Sequence, residues 1–312
     1  MAMMLLLPPG WALLAAGVCL LCLVPPAPAG ESPPDVTALK VKAAAGDPEA
    51  QFLLGRALLR GESVPKDLPE ALRLIKPAAE SGHAGAMGAY GFMLSRGLAT
   101  EKNETAAIEW LRKSAALGVA TSKLNLGIMT LKGLGTPQNT ADGLVLIEQA
   151  AKAGQSEAMV RLAEAWHFGE PGLAPDPAKA VIWSEQAAAA GNAQGQNLLG
   201  MMRENGLGLA RDYGMAAEWY RKAAVQHHAK AQANLGRLLS NGRGVPMDRV
   251  EAWFWLRVSA DAGEITSKNF LLELKPALSA VEMDEAEKRV VIYQKDRIRA
   301  RLHGAAAARS VP

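Results

Sequence analysis

Between residues 46 and 263, apolar residues recur at the three- and four-residue spacing of helices, not at the alternation of strands. In the first such stretch Ala50, Leu54 and Leu58 stand at i, i+4 and i+8 and so share one helix face. Each stretch is short, and glycine-rich turns divide it from the next. Gly242-Arg243-Gly244-Val245-Pro246 is the clearest of these turns. The pattern predicts an all-α chain of short helices joined in pairs by tight loops.

The pairs repeat. Gly46, Gly82, Gly118, Gly154, Gly191, His227 and Gly263 follow one another every 36 residues, with one spacing of 37 between Gly154 and Gly191. Taking each as position one brings further columns into line. Position five is small: Ala50, Ala86, Ser122, Ala158, Gly195 and Ala231. Position ten is Gly55, Gly91, Gly127, Ala163, Gly200 and Gly236. Position sixteen is always glycine: Gly61, Gly97, Gly133, Gly169, Gly206 and Gly242. Allowing for the added residue in the fourth repeat, position twenty-nine is Leu74, Trp110, Leu146, Trp183, Trp219 and Trp255. Position thirty-four is Ala79, Ala115, Ala151, Ala188, Ala224 and Ala260.

Helices are expected over about positions two to fifteen and twenty-two to thirty-five. The glycine at sixteen can adopt positive φ and stop the first helix. A glycine inside a helix costs up to ~1 kcal/mol against alanine, so its return at position ten implies a close helix contact that offsets the loss. The large residue at twenty-nine is expected to fill the space between neighbouring hairpins, which makes the tryptophan column structural.

These residues resemble the Sel-one-like repeat family, a branch of the tetratricopeptide superfamily, whose motif runs A-x-x-x-L-G, G-x-G-V and A-x-x-W-x-x-K-A-A. The fifth repeat carries Gly200, Gly206-Leu207-Gly208 and Ala216-Ala217-Glu218-Trp219-Tyr220-Arg221-Lys222-Ala223-Ala224. The sixth carries Ala231, Leu235-Gly236, Gly242-Arg243-Gly244-Val245 and Trp255. Two repeats depart from the pattern: Gly143 replaces a helix-favouring alanine in the third, and Glu170-Pro171-Gly172 enlarges a turn in the fourth. The resemblance implies a right-handed α-solenoid of about six 36-residue helix-turn-helix repeats that docks other proteins, with no catalytic residue to carry over.

Solenoid ends need covering because terminal repeats expose an apolar side. Asp35 to Ala45 can cover the first end, and Thr266 to Leu278 reads as a final first helix. Ser279-Ala280-Val281-Glu282 is a capping box that opens a helix to about Leu302. The repeat domain is thus expected at 36–302, with a disordered alanine-rich tail at 303–312. Ahead of it, Trp11 to Val24 is apolar or small throughout, short for a membrane span of about 20 residues and suited to a secretory signal. Ala27-Pro28-Ala29 matches the small-x-small cleavage pattern, giving a signal peptide at 1–29 and a Pro-rich linker at 30–35. The start lacks the usual Lys or Arg, so an uncleaved membrane anchor is the alternative. Both cysteines, Cys19 and Cys22, fall in this segment, and the cleaved protein, periplasmic or secreted, has no disulfide to form.

Chemistry is sparse. The net charge is +3 and 5% of residues are aromatic. With no basic stripe interleaved with aromatics, nucleic-acid binding is not expected. The 5 histidines lack the spacing of a metal-binding helix face, and His227-His228 reads as an exposed turn. No cofactor or metal is implied. Ser63-Val64-Pro65-Lys66 matches the S-x-x-K of penicillin-recognising enzymes without its S-D-N or K-T-G partners. Asn103-Glu104-Thr105 is a glycosylation sequon, relevant only in a eukaryotic secretory route.

By resemblance to tetratricopeptide geometry, positions seven, eleven and fourteen face inward along the superhelix. The protein-binding candidates are Arg56, Phe92, Leu124, Ile128, Leu131, Val160, His167, Asn197 and Met201. They would form a mostly apolar lane in the first four repeats and a polar one beyond. The same residues have a second reading, as packing against the next repeat's helix. The function expected is that of a non-enzymatic exported scaffold binding a protein or peptide segment. The alternatives are a periplasmic regulator docked on a membrane sensor, or a hydrolase of envelope glycans or β-lactams.

Overall fold

A computed structural model describes residues 36–307, with side chains as far as Arg297. The expected signal peptide with Cys19 and Cys22, the linker at 30–35 and residues 308–312 lie outside the described residues. Six helical hairpins follow a short opening helix, α1 (Val36–Ala44). They are α2 (Pro48–Arg60) with α3 (Leu68–Glu80), α4 (Ala84–Arg96) with α5 (Glu104–Ala116), and α6 (Ala120–Lys132) with α7 (Thr140–Lys152). Then come α8 (Ser156–Phe168) with α9 (Pro177–Ala189), α10 (Ala193–Asn205) with α11 (Tyr213–Val225), and α12 (Ala229–Asn241) with α13 (Arg249–Asp261). After the last hairpin, α14 (Ile265–Leu274) and a 3-10 turn (Lys275–Ala277) lead into α15 (Ala280–Ala307). No helix among the described residues is long and apolar enough to cross a membrane.

Start and stop signals set the uniform helix length. The first helix of five hairpins ends at position sixteen on a glycine with left-handed φ between 60° and 73°. In the fourth, Gly169 has φ 79° but an extended ψ of 168°, and the chain leaves into the enlarged turn, where Glu170 and Leu173 form a bridge. The second helices start on a column that the sequence reading passed over: Asp67, Asn103, Asn139, Asp176, Asp212 and Asp248. Each side-chain oxygen accepts the backbone N–H three residues on, at 2.8–3.1 Å, satisfying a donor that the helix itself leaves unpaired.

In five of the six hairpins position ten is a glycine that lies against the second helix, and in the fourth it is Ala163. A Cβ added at Gly236 would stand 2.7 Å from Leu256 Cγ and 3.1 Å from the Ala252 carbonyl oxygen. Gly143, a departure at sequence level, has a local reason. A Cβ there would lie 2.8 Å from the Gly127 carbonyl oxygen, and one at Gly127 would lie 2.8 Å from that of Gly143. Two glycines therefore let the α6 and α7 backbones meet. The tryptophan column divides: Trp255 is buried, as is Leu74, but Trp110, Trp183 and Trp219 are only half-buried. The Lys113 and Lys222 ammonium groups lie over the Trp110 and Trp219 rings, at 4.7 and 3.9 Å from the centroids.

The ends are closed as the solenoid requires. α1 packs on α2 and buries Ala43 beside Ala50 and Leu54. At the other end the capping box forms, the Ser279 N–H reaching Glu282 Oε2 at 2.8 Å and the Glu282 N–H reaching Ser279 Oγ at 3.3 Å. α15 then lies on α13, with Trp253 Nε1 donating to Glu287 at 2.8 Å and Gln294 Nε2 donating to Asp261 at 2.7 Å. His227, at φ 66° where the other repeats begin on glycine, hydrogen-bonds the Tyr293 hydroxyl of α15. The histidine that breaks the glycine column thus fastens the closing helix.

The N-cap column gives a direct test. Asp212→Ala should cost about 1 kcal/mol in urea unfolding, and Asp212→Asn, the residue at this position in the second and third repeats, little. Equal losses in the two variants would show that the cap oxygen does not hold α11.

Candidate functional site

Within the repeats the first helices of neighbouring hairpins touch directly: α2 with α4, α4 with α6, and α8 with α10, continued by α12 with α14. Side-chain bonds run along the same line. His83 Nε2 meets Glu49 at 2.7 Å, Asn192 Nδ2 donates to Ser156 at 3.2 Å, and Asn234 Nδ2 donates to Asn197 at 3.2 Å. Gln194 links two repeats, its Nε2 donating to Glu164 at 3.2 Å and its Oε1 meeting His228 Nε2 at 2.6 Å. Glu204 accepts Arg237 Nη2 on both oxygens, at 2.6 and 2.7 Å, and the Tyr220 hydroxyl at 2.9 Å. This closer approach puts the even-numbered helices on the inner side of the curve.

The structure divides the predicted binding residues. Arg56, Ile128, His167 and Met201 are partly exposed on inner helices. Phe92, Leu124, Leu131, Val160 and Asn197 are buried, so no open apolar lane runs through them. Position seven, which holds Leu124, Val160 and Asn197, is buried in every repeat because it lies beneath the next repeat's first helix. Phe52, at the same position, stacks on His83 with ring centroids 4.8 Å apart. A Cβ at Gly85 would stand 2.8 Å from its ring. Asn197 is held by Asn234 in the same way. Phe92 and Leu131 join core clusters with Met93 and Ile147 respectively. Position eleven reaches the inner surface as Arg56, Ile128, Glu164, Met201 and Arg237, with Phe92 the exception, and position fourteen joins it as Ser95, His167, Glu204 and Ser240.

Charges the sequence reading left out complete this surface. Arg161 pairs with Glu170 of the enlarged turn and stands 3.8 Å from Glu164. Burial raises the Glu164 carboxyl above its ordinary pKa, against the pull of Arg161 and the Gln194 hydrogen bond. The added residue of the fourth repeat therefore brings a carboxylate back to the inner helices. Ser63, of the S-x-x-K match, is exposed at φ 59° in the loop after α2.

Comparison with known proteins agrees with this architecture. The Sel1 repeat model matches residues 48–83, 84–119, 120–155, 156–192, 193–228 and 229–264. A Sel1 repeat protein from Oxalobacter formigenes is similar, at 31% identity and a TM-score of 0.67 over 76% of this chain and 69% of that one. A protective antigen of uropathogenic Escherichia coli with an SLR fold is 28% identical, at a TM-score of 0.65 over 83% of this chain. The match spans 56% of that antigen's length. A search of curated proteins gave no match.

Two histidines on this surface act as helix caps. The expectation of an exposed turn holds for His227, whereas His228 is half-buried. His228 Nδ1 accepts the Ala231 N–H at 3.1 Å, which leaves Nε2 to donate to Gln194; His83 caps α4 likewise through the Ala86 N–H. Burial, with Lys230 adding to it, pushes the His228 pKa down from 6.5 to about 4. Between those values the unfolded chain binds a proton that the folded one refuses, so the stability His228 confers is full above 6.5 and is lost as the pH falls towards 4. Melting followed from pH 7 to pH 4 should show a steeper loss in the native chain than in His228→Asn, the residue capping α10 in the fifth repeat, by about 2–3 kcal/mol. Parallel curves would refute the assignment.

Proposed function

The chain belongs to the Sel1 repeat family, and on that premise we propose that it is an exported scaffold that binds a segment of another protein along its inner helices. Sel1 repeat proteins are generally protein-interaction scaffolds. The observation that carries the reading here is the row of partly exposed side chains at position eleven, Arg56, Ile128, Glu164, Met201 and Arg237. Neighbours already hold two of these in place: Glu164 by Gln194 and Arg237 by Glu204. Pre-ordered polar groups cost less entropy on binding than free ones. Ile128 and Met201 supply apolar contact between them. Of the residues expected to bind, Arg56, Ile128, His167 and Met201 stay in the proposed surface. The buried ones support it from beneath.

Export is supported by the apolar segment Trp11 to Val24 and by Ala27-Pro28-Ala29. A mature chain beginning near Gly30 is the expected result of N-terminal sequencing, and an intact N-terminus in the membrane fraction would establish an anchor instead.

A photoreactive side chain at Met201 tests the docking surface, with Ile182, 52% exposed on the outer helix α9, as its control. Irradiation in the producing cell should join a partner protein to the Met201 variant and not to the Ile182 variant. Adducts confined to Ile182 would move the docking surface to the outer helices.

A further inference from the structure

Position fifteen, the last residue of each inner helix, is Arg60, Arg96 and Lys132 in the first three repeats and Phe168 in the fourth. Arg60 pairs with Glu62 at 3.2 Å. Among the described residues neither Arg96 nor Lys132 forms an ion pair, and both are exposed. The carboxylates closest to Lys132 in influence, Glu170 and Glu164, are committed to Arg161.

A cation at a helix C-terminus is favoured by the helix dipole, which accounts for one basic residue per helix. It does not account for two successive repeats leaving that cation without a carboxylate partner among the described residues. Partial burial, and then the like charges of Arg161 and Arg96, hold the Lys132 ammonium below the ordinary lysine pKa. Like charges brought together in this way gain from an added anion. The strip ends on Phe168, 59% exposed, its ring edge-on to His167 with centroids 4.4 Å apart. A large exposed aromatic at the end of a basic row offers an apolar anchor, and aromatic and Arg side chains are enriched where proteins meet.

We propose that the strip from Arg96 through Lys132 to Phe168 takes an acidic segment of the partner protein, carboxylates against the two cations and an apolar side chain against Phe168. This rests on the scaffold reading above and names the class of segment bound. Neighbouring inner helices stand roughly one helix diameter apart, about 10 Å, which is about one three-residue turn of a polyproline II-like chain, whose every third side chain shares a face. The segment therefore carries acidic residues three apart, followed after three more by an apolar one. Charge complementarity favours a peptide with that pattern over a neutral one, and the exposed ring gives it an end.

The probe is a fluorescent peptide with Glu, Glu and Leu at every third position, titrated into the exported full chain at near-physiological salt. Its counterpart carries Gln in place of both Glu residues. The acidic peptide should bind about tenfold more tightly, a ratio that narrows as salt is raised. Arg96→Gln and Lys132→Gln should each weaken it several-fold at unchanged melting temperature, and Arg289→Gln on α15 should not. Equal affinity for the two peptides, or no effect of either inner-helix variant, would overturn the inference. So would phosphatidylglycerol vesicles binding at Arg96 and Lys132 where the peptide does not, since the strip would then face a lipid surface. With Met201 still cross-linking a partner, such a result removes the acidic segment and leaves the scaffold. A chain that fails both tests loses both readings.

Discussion

The close approach of two helices inside each hairpin is the contact on which the rest of the structure depends. At position ten the first helix presents a glycine in five of the six hairpins and Ala163 in the other. Against each glycine the second helix presents its backbone and a large side chain in the space a Cβ would occupy. The glycine weakens the helix locally, and tight packing across the hairpin offsets that. Because caps and stops set all twelve repeat helices to the same length of 13 residues, the contact recurs at a fixed place. Each hairpin then offers the next one a similar surface. Where the third repeat changes the second-helix partner to Gly143, the contact becomes backbone against backbone and the hairpin is kept.

Stacking such hairpins sorts the side chains of the inner helices. Position seven goes beneath the neighbouring repeat, and position eleven comes to the surface. Polar side chains bridge one repeat to the next along this side, and the character of the bridges changes along the chain. Arg56, Arg96 and Lys132 make the early inner surface basic, whereas Glu204 and Arg237 neutralise one another further on. The inner side is therefore a directional surface, and a segment docked on it as proposed would meet different charges at its two ends.

Most of the fold was legible in the sequence because glycines and small residues at fixed spacing report backbone conformation and close contact directly. Both helices of each hairpin, the stop at position sixteen and the capping box at Ser279 could be read that way. The Asp/Asn column at position twenty-two carries an equally local signal, since an N-cap oxygen acts within its own helix, but it mixes two residue types and stands out less than the invariant glycine. The inner surface was harder. Whether position seven or eleven faces solvent depends on how far one hairpin is rotated against the next, a quantity that no periodicity within a helix contains. Phe92, Leu124, Leu131 and Val160 were apolar enough to suit either location, and the structure buries them. His227 and Glu170 draw their roles from Tyr293 and Arg161, contacts set by the closing helix and an enlarged turn.

Gly236→Ala tests the hairpin contact most directly, because two physical effects of opposite sign compete there. Helix propensity alone would make the variant more stable by up to ~1 kcal/mol. The added methyl would stand 2.7 Å from Leu256 Cγ and 3.1 Å from the Ala252 carbonyl oxygen, and overpacking of that kind costs about 1–3 kcal/mol. Urea unfolding of the exported chain should therefore show a net loss, and the same glycine substitution should cost less when it is made in a Leu256→Ala background, where the methyl has room. A variant as stable as the parent, or more stable, would contradict the claim that the close approach at position ten holds the repeats together.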